Sequence, residues 1–139
     1  MTTMVAIQQE TPRSKSQKTL VVVKIGTSSL LTEVPGQTPC VRLSSMGRII
    51  EVVAELRRNG CNVVLVSSGA VGFGCIRLGL RQRPTDLGEK QAVAAVGQSY
   101  LVRMWEDLFS THGIKVGQLL LARSDFNHRG RFKNLKRTM

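Results

Sequence analysis

Acidic and aromatic side chains are both scarce in this sequence. Asp and Glu number 9 against 20 Lys and Arg, a formal net charge of +11, and aromatics make up 4% of the 139 residues. So few aromatic rings exclude the base-stacking platform that single-stranded nucleic-acid binders use, and no specific nucleic-acid partner is expected. No run of roughly 18 apolar residues occurs, which excludes a membrane-spanning helix. Cys40, Cys61 and Cys75 stand singly. Their odd number argues against a disulfide framework and their spacing matches no zinc or redox motif. A reduced, cytoplasmic protein is the expectation. His112 precedes Gly113 as a helix end would, and His128 lies in a cationic stretch; neither has a ligand partner four residues on, so no metal site is assigned.

The positive charge is unevenly spread. Between Arg123 and Arg137 stand Arg123, Arg129, Arg131, Lys133, Lys136 and Arg137 against Asp125 alone. Such a stretch either binds polyanions or faces an acidic partner that a longer chain would supply; the second reading is preferred. At the other end, residues 1–18 are polar, without the apolar core of a secretory signal, and are expected to be a disordered leader.

What is present is a series of alternating strands and helices. Leu20-Val21-Val22-Val23, ending at Lys24-Ile25-Gly26, reads as a strand buried on both faces. Thr32 to Pro39, with Pro35-Gly36, is a loop. Ser44 or Ser45 caps a helix in which Met46, Ile49, Ile50, Val53 and Leu56 recur at helical spacing, closed by Arg57, Arg58, Asn59 and Gly60. Asn62 to Ser67 is a second buried strand, breaking into Ser68-Gly69-Ala70 and a short glycine-rich helix toward Leu78 and Gly79. A polar loop, Arg81 to Asp86, precedes a long helix over Leu87 to Ser110. Val93, Val96, Leu101, Met104, Trp105 and Leu108 form its apolar stripe, and Gly97 marks close helix packing. Trp105 and Phe109 are expected in the core. Val116 to Leu121 is a third strand, and a helical segment runs from Asp125 to Met139. The alternation predicts an α/β fold with a mainly parallel sheet and helices on both faces. Ligands then belong at the carboxyl ends of the strands.

Chemistry is concentrated in the loops after the first two strands. Lys24-Ile25-Gly26-Thr27-Ser28-Ser29 offers an ammonium, a glycine and hydroxyls, a composition suited to a transferring phosphoryl group. It is not a Walker A loop, because the lysine precedes the glycine. A tight turn with self-capping hydroxyls is the plainer alternative. Ser67-Ser68-Gly69-Ala70-Val71-Gly72 is a small-residue turn into a helix, whose N–H groups suit a carboxylate or a phosphate; close packing alone would explain it equally. Arg123 and Ser124, just past the third strand, fall on the same ligand-facing edge. Glu33, Glu51, Glu55, Asp86 and Asp125 read as solvated groups or caps.

Val22-Val23-Lys24-Ile25-Gly26-Thr27-Ser28 followed by Val66-Ser67-Ser68-Gly69-Ala70 resembles the amino-acid kinase family. Lys90-Gln91-Ala92-Val93-Ala94-Ala95-Val96-Gly97-Gln98, Trp105-Glu106, Val116-Gly117-Gln118-Leu119-Leu120-Leu121 and Arg131-Phe132-Lys133-Asn134 are similar to its glutamate 5-kinase branch. The resemblance covers residues 19–139 and implies a three-layer fold of which this chain holds the N-terminal, acceptor-binding part. It implies ATP-dependent phosphorylation of the L-glutamate side-chain carboxylate, the first step of proline biosynthesis, with ATP and Mg2+ required. By the same resemblance Lys24, with Gly26, Thr27 and Ser28, contacts the transferring phosphoryl, and Ser68, Gly69 and Ala70 hold glutamate. The family's acceptor loop rich in Asn and Asp and its nucleotide-binding half find no counterpart here. The resemblance therefore implies a chain inactive alone, and a homo-oligomer in the longer form. The alternatives are another amino-acid kinase, or a non-catalytic short form that docks on the longer kinase.

Overall fold

The computed structural model describes residues 3–8, 19–121 and 126–138. Its main sheet contains β1 (Thr3–Gln8), β2 (Leu20–Ile25), β5 (Asn62–Ser67) and β6 (Lys115–Leu119), in the order β2-β5-β1-β6. β2 and β5 run parallel, from Leu20 opposite Asn62 to Ile25 opposite Ser67. β1 is antiparallel to both β5 and β6, so β2, β5 and β6 all point the same way. The chain therefore belongs to the expected α/β class with its predicted strands parallel. One antiparallel strand is inserted among them. Arg123, Ser124, Asp125 and Met139 lie outside the described residues, as do residues 9–18.

That inserted strand is a departure from the expected leader. Met4-Val5-Ala6-Ile7 is a short apolar, partly β-branched run inside an otherwise polar segment. β5 and β6 each present a row of backbone donors and acceptors that require partners. Thr3–Gln8 supplies them on both sides.

The helices are α1 (Thr27–Leu30), α2 (Leu43–Arg58), α3 (Ala70–Leu78), α4 (Leu87–Ser110) and α5 (Arg129–Thr138). α2 starts one residue before the expected caps: Arg42 is its N-cap, and no side chain caps it. Arg42 is held instead by its own N–H donating to Leu30 O at 2.7 Å and its Nε donating to Thr32 Oγ1 at 2.9 Å. Those bonds orient the chain entering α2, so Ser44 and Ser45 fall inside the first turn. At the far end Asn59 is the C-cap and Gly60 takes φ +81, the left-handed conformation a C′ glycine supplies. α4 has the predicted bounds, with Asp86 as N-cap accepting from Glu89 N at 2.9 Å. The loop before α2 contains a small antiparallel pair, β3 (Leu31–Thr32) with β4 (Cys40–Val41), around a turn in which Gln37 N donates to Val34 O.

With β2, β5 and β6 stepping across the sheet in one direction, right-handed connections carry the crossover helices to one face. The core follows that rule. Val23, Ile25, Val63 and Leu65 from the sheet pack with Met46, Ile50 and Val53 of α2, Phe73 of α3, and Leu101, Trp105 and Phe109 of α4. On the opposite face of β2, Leu20 and Val22 are 48% and 58% exposed. The expectation that this strand is buried on both faces is thereby corrected: β2 is an edge strand, and among the described residues no helix covers its second side. Among the described residues the sheet and the helical layer on one face are present, two layers of the expected three-layer fold. Val96 is also corrected. It lies off the α4 stripe of Val93, Gly97, Leu101, Trp105 and Phe109 and is exposed.

α3 and α4 cross almost backbone to backbone. A Cβ built on Gly97 would lie 1.9 Å from Ala70 O and 2.2 Å from Gly74 N; one on Gly74 would lie 2.0 Å from Val93 O. The predicted role of Gly97 in helix packing is thus met by a paired glycine on the partner helix. Trp105 fixes the other end of α4. Its buried indole N–H donates to Ser67 Oγ at 3.2 Å, and that hydroxyl donates to Ser68 O at 3.2 Å. The long helix is therefore registered against the strand that feeds the second loop.

Candidate active site

The two chemically interesting loops meet because β2 and β5 are adjacent and in register. As β2 ends, Ile25 O accepts a hydrogen bond from Ser68 N at 3.0 Å, which sets the start of one loop beside the start of the other. After Ile25 the chain turns through Gly26 into α1, where Ser29 N donates to Gly26 O at 3.1 Å and the buried Leu30 and Leu31 anchor the turn. Gly26 has φ −80, and a Cβ there would meet nothing within 4 Å. Backbone conformation and packing therefore do not demand a glycine at this position. The space beside it is open, as a phosphoryl group approaching the backbone would require.

The second loop is conformationally specified. Gly69 has φ +117, a region closed to side chains with a Cβ, and it caps α3. Its carbonyl accepts from Phe73 N at 2.9 Å. Gly69 offers no side chain to cap the N–H groups of the first turn of α3. Those donors and the helix dipole make this turn receptive to an anion.

Thr27, Ser68, Gly69, Ala70, Val71, Gly72, Arg83 and Ala94 line a cleft of about 180 Å³. The structure thus brings the predicted Thr27, Ser68, Gly69 and Ala70 into one cavity. Lys24, Gly26 and Ser28 are not among its lining residues. Lys24 shares a face of β2 with Val22 and alternates with the inward Val23 and Ile25, so the pleat directs it to the uncovered face of the sheet, where it is exposed. Ser28 is exposed on α1 and Gly26 half-buried. Ser67 points away into the core, engaged by Trp105.

Arg83 was not singled out in the sequence. Its Nε donates to Glu33 Oε1 at 3.0 Å, and its Nη2 contacts the same oxygen. Glu33 is therefore an ion-pair partner rather than a freely solvated group. The pair joins the β3–β4 turn to the α3–α4 loop across a sequence separation of 50 residues, a contact that local pattern cannot announce. Beneath it lies Cys75, buried and with its thiol pKa pushed up by burial; Arg83 opposes that shift and Glu33 adds to it. No carboxylate is among the residues lining the cleft. Among the described residues, no three His, Cys, Asp or Glu side chains gather as a metal site.

The open space at Gly26 yields a direct expectation. Gly26→Ala leaves thermal stability unchanged or raises it slightly, by up to about 1 kcal/mol, since the backbone angle suits alanine and nothing is displaced. If a phosphoryl group occupies that space, the same substitution weakens phosphate-ligand binding by roughly ten-fold or more. Thermal melting and calorimetric titration with ATP, run side by side, separate the two effects.

Comparison with known proteins agrees with this architecture. A family profile described as "Amino acid kinase family" matches residues 19–139. The chain is 58% identical over 118 residues to the glutamate 5-kinase of Synechococcus sp. (strain JA-3-3Ab), covering 85% of this chain and 31% of that protein. It is 50% identical over 129 residues to the glutamate 5-kinase of Nostoc sp. (strain PCC 7120), covering 93% of this chain and 33% of the relative. A glutamate 5-kinase of Gloeobacter violaceus is 48% identical over 119 residues, covering 86% and 31% respectively. The chain thus spans about a third of the length of these curated relatives.

Proposed function

The chain belongs to the amino acid kinase family, and on that footing we propose that it forms the acceptor side of an ATP-dependent L-glutamate 5-kinase. The observation that carries this reading is the shared cleft. Thr27 of the lysine–glycine loop and Ser68, Gly69 and Ala70 of the glycine turn line a single cavity. One loop suits the transferring group and the other an anionic acceptor, so both reactants can be held next to each other.

In the proposed reaction an oxygen of the glutamate side-chain carboxylate attacks the γ-phosphorus of ATP. The bond from that phosphorus to the β,γ-bridging oxygen breaks, ADP departs with the electron pair, and an acyl phosphate forms. Both reactants are anions, so the protein's task is to position them and offset their charge. The N–H groups at the start of α3 and the Ser68 hydroxyl hold the acceptor. The backbone near Gly26 and Thr27, with the Lys24 ammonium at the strand end, receives the phosphoryl oxygens. Mg2+ bound to the ATP phosphates would neutralise part of their charge, and no group of three His, Cys, Asp or Glu side chains among the described residues would hold it. The free thiols Cys40, Cys61 and Cys75 agree with a reducing, cytoplasmic setting.

A chimera tests this reading. Residues 19–139 replace the matching segment of the Synechococcus enzyme, and product is trapped with hydroxylamine as the hydroxamate. Glutamate-dependent hydroxamate formation at a rate within about ten-fold of the parent supports the proposal. A folded chimera that phosphorylates a different carboxylate, or none, refutes it.

A further inference from the structure

We propose that Arg83 recognises the second, non-reacting carboxylate of the acceptor, so that this cleft selects a dicarboxylic amino acid rather than any carboxylate. The inference rests on the reading of the cleft as the acceptor site. Its own support is the position of the guanidinium. A Cβ on Gly72 would lie 2.3 Å from Leu31 Cδ1, 3.4 Å from Arg83 Nη2 and 3.5 Å from Glu33 Oε1, so Leu31 and the ion pair both pack against the first turn of α3. The phosphoryl loop abuts the Ser68 end of the same wall, through the bond from Ser68 N to Ile25 O. An acceptor whose reacting carboxylate faces Thr27 and Ser68 therefore has its other end toward Gly72 and Arg83.

The loop carrying Arg83 is tied down. Leu80 N donates to Cys75 O at 2.9 Å, and Cys75 Sγ lies 3.9 Å from Gln82 O. Glu33 holds the side chain through Nε and Nη2 on a single oxygen, which leaves further guanidinium N–H groups for a ligand. Glu33 thus orients the fork, and a planar guanidinium is suited to bidentate recognition of a carboxylate. Glu33, the carboxylate beside Arg83, is engaged by the guanidinium and is not among the residues lining the cleft.

The test compares binding of L-glutamate and its α-amide, isoglutamine, to this chain by calorimetry. Both ligands keep the side-chain carboxylate; only glutamate keeps the second one. The unaltered chain is expected to prefer glutamate by about ten-fold or more, the usual effect of one charge-assisted pair. Arg83→Gln is expected to bring the two ligands within about three-fold of each other by weakening glutamate alone. Arg83→Lys, which keeps the charge but not the fork, is expected to retain an intermediate preference and guards against a Gln variant that fails to fold. If Arg83→Gln, or Arg83→Lys where the Gln variant does not fold, preserves the full preference while glutamate still binds, the assignment of Arg83 is wrong and the acceptor site stands. If the unaltered chain binds neither ligand, both readings fall together.

Discussion

Lys24→Met in the active chimera is expected to lower kcat for glutamate phosphorylation by about 10²–10³-fold, the loss typical of removing one donor aimed at developing charge. Methionine keeps most of the unbranched stem, so the change removes the ammonium and little else. Lys24 is exposed on an edge strand and is not a member of the buried core. Melting temperature is therefore expected to move by no more than a degree or two, since exposed substitutions away from caps and cores are usually within about 0.5 kcal/mol. The KM for glutamate should change far less than kcat, because Lys24 is outside the cleft proposed for the acceptor. That combination has a specific meaning. The cleft proposed for the acceptor lies on the helix-covered side, and the lysine emerges at the carboxyl end of β2 on the other. A large kcat loss would place the transferring phosphoryl between them, at the rim of the sheet. A kcat within three-fold of the parent would remove Lys24 from the chemistry and leave Thr27 and its backbone as the only contribution of this loop.

Gly97→Ala is expected to have the largest effect on stability. The added methyl would enter a space already occupied by backbone atoms, Ala70 O at 1.9 Å and Gly74 N at 2.2 Å, which cannot rotate aside as a side chain can. α3 and α4 must separate, and overpacking of this kind costs about 3 kcal/mol or more. For a domain of this size that corresponds to a fall in Tm of roughly 10–20 °C. Gly47→Ala is the matched control. Gly47 lies inside α2 with nothing within 4 Å of its built Cβ, so the same chemical change should stabilise by about 0.5–1 kcal/mol through helix propensity. Opposite signs at the two positions, read by thermal melting, would separate packing from propensity. Equal effects would mean that α3 and α4 do not cross at Gly74 and Gly97. A functional consequence follows from the same contact. Ala70 begins α3 and lines the cleft, so even a folded Gly97→Ala chain should bind glutamate more weakly.

Glycine illustrates how far local pattern carries. Gly97 was legible as a packing residue because a glycine within a long apolar stripe has few other reasons to be there. Gly69 was legible as a turn because it follows a buried strand and precedes a helix; its φ of +117 shows why no other residue serves. Gly26, in a similar setting, carries no conformational demand at all, and only the space around it could show that.

The sequence by itself determined the elements whose causes are local. The apolar runs at 20–25 and 62–67, the Asp86 cap and 24-residue span of α4, and the closing Gly60 each follow from side-chain periodicity or terminal hydrogen bonding within a few residues. The two loops themselves were legible for the same reason, whereas their meeting depends on the parallel pairing of β2 with β5. Tertiary structure decided what depends on partners distant in the chain. Thr3–Gln8 becomes a strand only because β5 and β6 leave a gap between them with unpaired backbone on both sides. One face of β2 remains exposed because right-handed crossovers send the helices to the other. Lys24 parts from Thr27 because Lys24 projects from the uncovered face of β2 while the chain turns at Gly26 into α1, and Arg83 reaches Glu33 because two loops far apart in sequence fold over the same turn of α3.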